Sequence, residues 1–138
     1  ARGAIQNTDI TDMATVIRAI GRGDLLSEES HEVQVAPTLR GTTTPVEGCP
    51  TCFVQSEGYT FGYGIVLTGD WLMQNPLFHG YAGVAAYLPA EDLTIAIAAT
   101  YGPEAFDEAG EPRGNIAMPL FAKLAETLAP DHPVPSRS

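Results

Sequence analysis

The sequence predicts an α+β domain in which an antiparallel sheet of about three strands is flanked by N- and C-terminal helices. Apolar residues recur at helical spacing near both ends, and three uncharged runs rich in β-branched or aromatic residues lie between them. The connections between those runs are short, which favours antiparallel hairpins over crossovers. We assign residues 1–130 to this single domain and residues 131–138 to a flexible tail.

The individual elements follow from side-chain periodicity and from helix start and stop residues. We predict helices over residues 9–20 and 115–129, a shorter helix after Ser27, and strands over 59–68, 78–88 and 93–100. Thr8 or Thr11 can cap the first helix, and Asn115 can cap the last. The run 93–100 alternates large and small side chains with no charge on either face, which predicts a central strand covered on both sides.

The composition argues against two classes of protein. The chain has 138 residues, a formal charge of −10 and 7 Lys+Arg, among which Lys123 is the one lysine. Binding to nucleic acid needs clustered cations, so we expect no nucleic-acid partner. The longest uncharged run, residues 71–90, is interrupted by polar residues, glycines and prolines, so we predict no membrane-spanning helix.

The sequence contains no assembled serine nucleophile. In a Ser-x-x-Lys pair a helical turn sets the amine against the hydroxyl, but Leu120 stands three residues before Lys123. Gly-x-Ser-x-Gly is also absent. His79 is the leading candidate site residue, since a histidine beside small residues can donate to an anionic substrate or intermediate. The alternative is a structural histidine at a strand end.

Cys49 and Cys52 form a Cys-x-x-Cys motif with several possible interpretations. A redox site would need a helix N-terminus, and a zinc site would need two further ligands at suitable spacing. Neither context is present, so we predict no metal site. A local disulfide that ties the long 36–57 loop is the favoured interpretation, followed by paired free thiols. For Trp71, packing across a hairpin is favoured over stacking on a ligand.

Four segments occur in an order that resembles the C-terminal part of the serine β-lactamase-like family. They are residues 4–13 at a helix start, 20–27 ending in Gly-x-Leu-Leu-Ser, 61–65 reading Phe-Gly-Tyr-Gly-Ile, and 79–94 with His-Gly followed by Tyr-Leu-Pro. The family includes class C β-lactamases, D-alanyl-D-alanine carboxypeptidases, penicillin-binding proteins and related esterases. The final helix matches in place.

This resemblance implies a serine hydrolase that cleaves an amide or ester through an acyl-serine, with no cofactor. Its substrate would be a β-lactam, a D-Ala peptide or an ester. His79 would stabilise negative charge, Gly80 and Tyr81 would line the substrate site, and the N–H of Ala82 would be an oxyanion donor. Tyr81 stands where the family usually has glycine. The nucleophile would lie before the matched region, so the chain would be an inactive fragment that needs the missing N-terminal portion of the same protein.

Three further expectations concern the location of the protein, its self-association and an alternative function. A disulfide would place the protein outside the cytoplasm, as a bacterial secreted, periplasmic or cell-envelope protein. A truncated sheet would expose an edge, which predicts self-association into a homo-oligomer. The alternative function is a non-catalytic domain on the same scaffold that binds cell-wall peptides or a protein partner.

Overall fold

A computed structural model describes residues 8–49, 52–78 and 80–136 of the chain. Its elements are the helices α1 (Ile10–Arg22) and α2 (Glu28–Val35), the strands β1 (Thr60–Phe61), β2 (Val66–Thr68), β3 (Trp71–Gln74), β4 (Leu77–Phe78), β5 (Tyr81–Leu88) and β6 (Leu93–Thr100), and the helix α3 (Ala117–Leu128). The α+β class predicted from the sequence is confirmed.

Helix α1 begins at a cap different from the two predicted. The N-cap is Asp9 rather than Thr8 or Thr11, and its carboxylate accepts a hydrogen bond from the N–H of Asp12 at 2.8 Å. An aspartate at this position also places negative charge at the positive end of the helix dipole. Gly23 ends the helix with φ 74°, a left-handed conformation that suits glycine.

The strands form an antiparallel meander, in which successive strands along the chain are neighbours. β1 pairs with β2, β2 with β3, and β5 with β6. β3 and β4 both pair with β5 in one continuous register, since Leu72 opposes Tyr87 and Leu77 opposes Ala82. β3 and β4 are therefore a single strand interrupted at residues 75–76.

The sheet has more strands than the three that the sequence predicts, because one tight turn divides the run 59–68 and strand β3 lies between the predicted runs. The run 59–68 turns between Gly62 and Ile65 and gives β1 and β2. Gly69, with φ 55°, then allows a two-residue turn, after which Trp71 starts β3. Strands of two to four residues are too short to show a clear period in the sequence.

β6 is an edge strand, so the prediction of a central strand over 93–100 is wrong. β6 pairs with β5 alone in the described part of the chain, and β5 is the strand with neighbours on both sides. The error has a physical cause. Helices α1 and α3 both contact β6 and cover most of its length, so this edge strand carries no charged side chain, as a central strand would not.

Each face of the sheet has its own core, which makes a three-layer arrangement. On the α3 face, Trp71 and Phe121 are fully buried, and their rings meet edge to face with centroids 5.2 Å apart. On the α1 face, Ile17 of the helix packs among Leu67, Leu72 and Tyr87. Trp71 therefore packs in the core, but against helix α3 rather than across a hairpin as predicted.

The segment after α3 contacts the turn between β2 and β3 as far as the structure describes it. The Nε1–H of Trp71 donates to the carbonyl of His132 at 2.8 Å. Pro135 lies so close to Gly69 that a Cβ on that glycine would meet the proline ring at 2.9 Å. Among the described residues, no helix is both long enough and apolar enough to cross a bilayer.

Candidate functional site

The residues that the resemblance singles out lie where β4 ends and β5 begins. His79 lies outside the described residues. Gly80 has φ 83°, and Tyr81 is the first residue of β5 with 64% of its surface exposed. Ala82 follows and is 5% exposed. The predicted substrate-binding residues Gly80 and Tyr81 are thus adjacent to a solvent-exposed end of the sheet.

Ala82 is held within the sheet rather than at its rim. It opposes Leu77 of β4 on one side and Ala99 of β6 on the other. Its N–H therefore points toward a neighbouring strand whichever way it faces. The oxyanion-donor role that the resemblance implies for Ala82 stays a prediction, and in this register its N–H lies between paired strands.

The interruption at residues 75–76 is the most distinctive feature of this end of the sheet. The N–H of Gly83 donates to the carbonyl of Pro76 at 3.0 Å, as in an ordinary antiparallel pair. Proline has no N–H with which to complete the pair. The side-chain amide of Asn115 donates to the carbonyl of Gly83 at 2.9 Å instead.

Asn115 connects this break to the C-terminal helix. Its amide nitrogen also lies 3.2 Å from the carbonyl oxygens of Asn75 and Pro76. Its Oδ1 accepts from the N–H of Ala117 at 2.9 Å, at the start of α3. The N-cap of α3 is Ile116, not the predicted Asn115, which lies one residue earlier. The three contacts of Asn115 to the sheet were not predictable from local spacing, since their partners lie 32 to 40 residues away.

The two residues that precede Pro76 hold neighbouring segments in place. The amide of Gln74 donates to the carbonyl of Gly64 at 2.7 Å, in the turn between β1 and β2. The hydroxyl of Tyr59 lies 3.2 Å from Oδ1 of Asn75. Sequence reasoning missed both residues, although an Asn-Pro pair is a recognisable signal for an interrupted strand.

One end of the α1 face of the sheet is left uncovered, and we call it the open face. Because cross-strand partners share a face, the register puts its side chains on the same side as Leu72 and Tyr87, beyond the α1 core. The exposed members are Gln74, Pro76, Tyr81, Ala98 and Thr100. They offer an amide, a phenol, a hydroxyl and apolar surface but no charge, so this face can position a ligand by hydrogen bonding and packing.

A charged cluster around Asp92 ties α1 to the turn between β5 and β6. Arg18 forms a bidentate ion pair with the carboxylate of Asp92. The hydroxyl of Tyr87 donates a hydrogen bond to the same carboxylate at 3.0 Å. The hydrogen bond from Arg18 is the main reason that the pKa of Asp92 is lowered, whereas burial is the main reason that the pKa of Tyr87 is raised. Tyr87 and Tyr81 lie near opposite ends of β5, so this cluster is structural and separate from the open face.

A second charged pair joins the C-terminal segment to the β2–β3 turn. Nδ1 of His132 lies 2.7 Å from Oδ2 of Asp70, and Glu91 approaches the other ring nitrogen at 4.0 Å. The hydrogen bond with Asp70 is the main cause of a raised pKa for His132.

Cys49 and Cys52 form a disulfide, as the favoured interpretation predicted. Among the described residues, no group of three or more His, Cys, Asp or Glu side chains is arranged to hold a metal ion. Comparison of the chain with protein-family models and with curated proteins found no match.

Proposed function

We propose that this chain is the C-terminal portion of a serine hydrolase of the β-lactamase or D-alanyl-D-alanine carboxypeptidase type. The whole protein cleaves an amide or an ester through an acyl-serine. The observation that carries the proposal is the open face: helices α1 and α3 contact β5 and β6, but the end of the sheet that leads into residues 79–81 has an exposed, uncharged surface on the α1 side. This pattern is typical of a cleft wall that a second part of a protein completes.

Within this proposal the chain positions substrate and does not attack it. Its sequence holds no Ser-x-x-Lys pair, so the nucleophile comes from another part of the same polypeptide. Tyr81 and Gln74 supply neutral hydrogen-bonding groups to the substrate, and His79 stabilises the negative charge that develops on it. Asn115 keeps this wall in place by bonding the break at Pro76 to α3.

The Cys49–Cys52 disulfide supports an extracytoplasmic location for the enzyme. Structural disulfides persist in oxidising compartments and are rare where thiols are kept reduced. Cell-wall peptides and β-lactams are substrates met in such compartments, which fits the proposed reaction.

Turnover of nitrocefin and of p-nitrophenyl acetate tests the proposal. We expect no turnover by the 138-residue chain alone, and measurable turnover by the natural polypeptide that carries it. In that polypeptide, His79→Ala should lower kcat/KM by about 100-fold, in the range for one oxyanion-stabilising group. Glu108→Ala in the exposed acidic loop is the matched control and should leave turnover unchanged. Turnover by the isolated chain that survives His79→Ala would overturn the proposal.

The second candidate is a non-catalytic domain that binds cell-wall peptides or a protein partner. The absence of a serine–lysine pair from these 138 residues favours it. The coding sequence upstream of Ala1 discriminates between the two: a Ser-x-x-Lys motif there selects the enzyme, and its absence selects the binding domain.

A further inference from the structure

The outer edge of β6 presents a row of main-chain groups without partners in the described part of the chain. The N–H of Tyr101 donates to the carbonyl of Gly80, and this contact fixes the alternation of the β5–β6 ladder. Alternate residues of β6 therefore face β5, and those between them face outward. The outward-facing residues are Thr94, Ala96, Ala98 and Thr100.

This edge lacks the features that normally prevent strand addition. Edge strands are usually short, charged, interrupted by proline or distorted by a bulge. β6 is eight residues long, Leu-Thr-Ile-Ala-Ile-Ala-Ala-Thr, with no charge and no proline. Its register with β5 continues unbroken from Leu93 to Thr100, which excludes a bulge.

The order of the outward-facing residues is the same in both directions, Thr-Ala-Ala-Thr. We propose that β6 pairs antiparallel with β6 of a second copy of this chain, around a two-fold axis at Ile97. In this register Thr94 opposes Thr100 of the second copy, and Ala96 opposes Ala98. Each such pair exchanges two main-chain hydrogen bonds, and the Thr–Thr pairs stabilise the sheet further.

The side chains fit this register on both faces. On the α3 face, Ile97 meets Ile97 of the second copy at the axis and Ile95 meets the small Ala99, while Leu93 at the strand end meets Tyr101 just beyond β6. Both helices that contact β6 also expose large apolar side chains, with Val16 of α1 44% exposed and Leu120 of α3 51% exposed. A stable interface needs roughly 1,200–2,000 Å², more than one pair of strands provides.

Net charge opposes this association. Each copy carries a formal charge of −10, so the two copies repel at low ionic strength. Added salt screens that repulsion without affecting main-chain hydrogen bonds. We therefore expect the dimer to become tighter as NaCl is raised.

Sedimentation velocity on a dilution series of the purified chain in moderate salt tests the proposal. Ala98→Pro removes one outward N–H from each copy and leaves the bonds to β5 intact, so the dimer should weaken at least about tenfold. Ala98→Val keeps the N–H at the same exposed site and should dimerise like the wild type. Circular dichroism confirms that each variant folds, and Thr100→Pro at the strand end replaces Ala98→Pro if that variant unfolds.

Two results would overturn the proposal. One is a wild-type chain that remains monomeric at every concentration and salt level. The other is a folded proline variant that dimerises as tightly as the wild type, because the contact would then lie on another surface.

Discussion

Asn115 supplies to the sheet the hydrogen bond that Pro76 cannot give. Gly83 donates to Pro76 at 3.0 Å, and in an ordinary antiparallel pair the opposing N–H would return that bond. The amide of Asn115 takes its place at 2.9 Å from the Gly83 carbonyl. One side chain thus allows the strand to break next to the open face without leaving a buried carbonyl unpaired.

Loss of this amide should destabilise the fold. We expect Asn115→Ala to lower the free energy of unfolding by about 1–3 kcal/mol, because the Gly83 carbonyl loses its partner. Asn115→Asp should cost at least as much at neutral pH, since it retains the acceptor for Ala117 but sets a carboxylate against three carbonyls. Urea denaturation measures both changes.

The control is Gln74→Ala, which removes one exposed hydrogen bond and should cost under about 1 kcal/mol. An Asn115→Asp variant as stable as the wild type would show that the amide contacts contribute nothing.

The contrast between Asn115 and Ser27 shows what the sequence could predict. Ser27 caps α2 through the N–H of Ser30, three residues away, and local capping of this kind can be recognised from spacing. The contacts of Asn115 to the sheet depend on how α3 docks, which no local pattern encodes. Likewise, the alternation in β6 predicted which side chains share a face but could not tell an edge strand from a central one.

The His132–Asp70 pair should make stability depend on pH. The pKa of His132 is raised in the folded protein, so its contribution is fully present below the unfolded value near 6.5 and disappears as pH rises through the folded pKa. We expect Asp70→Asn to lower Tm at pH 6 and to have progressively less effect toward pH 9. Thermal melts at several pH values provide the measurement.

The matched control for the pH series is Asp107→Asn, an exposed acidic residue without a histidine partner in the described structure. A Tm difference between wild type and Asp70→Asn that grows with rising pH would contradict the assignment.

The ring contact between Trp71 and Phe121 should account for much of the stability of the α3 core. Both side chains are fully buried, and removal of a buried aromatic ring costs about 3–5 kcal/mol. We expect Phe121→Ala to cost that much in chemical denaturation. Leu120→Ala, at the neighbouring half-exposed position, should cost under about 1 kcal/mol. Equal costs would mean that α3 packs through a different face.

The disulfide between Cys49 and Cys52 should contribute only modestly to stability. The two cysteines are three residues apart, and closing so short a loop is worth about 2 kcal/mol in the chain-entropy model. We expect the Cys49→Ser/Cys52→Ser double variant to remain folded with a Tm lowered by several degrees. Titration of the unreduced wild type should find no free thiol, and two reactive thiols would contradict the pairing.

The open face depends on the short strands β3 and β4, which the sequence pattern did not predict. The resemblance points to Gly80 and Tyr81, and their position beside the exposed end of the sheet depends on β3 and β4 forming one interrupted strand. Ala82 shows the limit of that reasoning. A motif gives the order of residues, whereas the pairing of β5 on both sides decides which N–H groups are free.

The most direct test of the account is to map the acylated residue in the natural polypeptide that carries this chain. The polypeptide is labelled with a fluorescent penicillin or an activated ester, digested, and analysed by mass spectrometry. We expect one modified serine, within a Ser-x-x-Lys sequence outside these 138 residues. A label on Ser27, Ser30 or Ser56, or a polypeptide that no acylating probe modifies, would contradict the proposal that this chain is one wall of a serine hydrolase cleft.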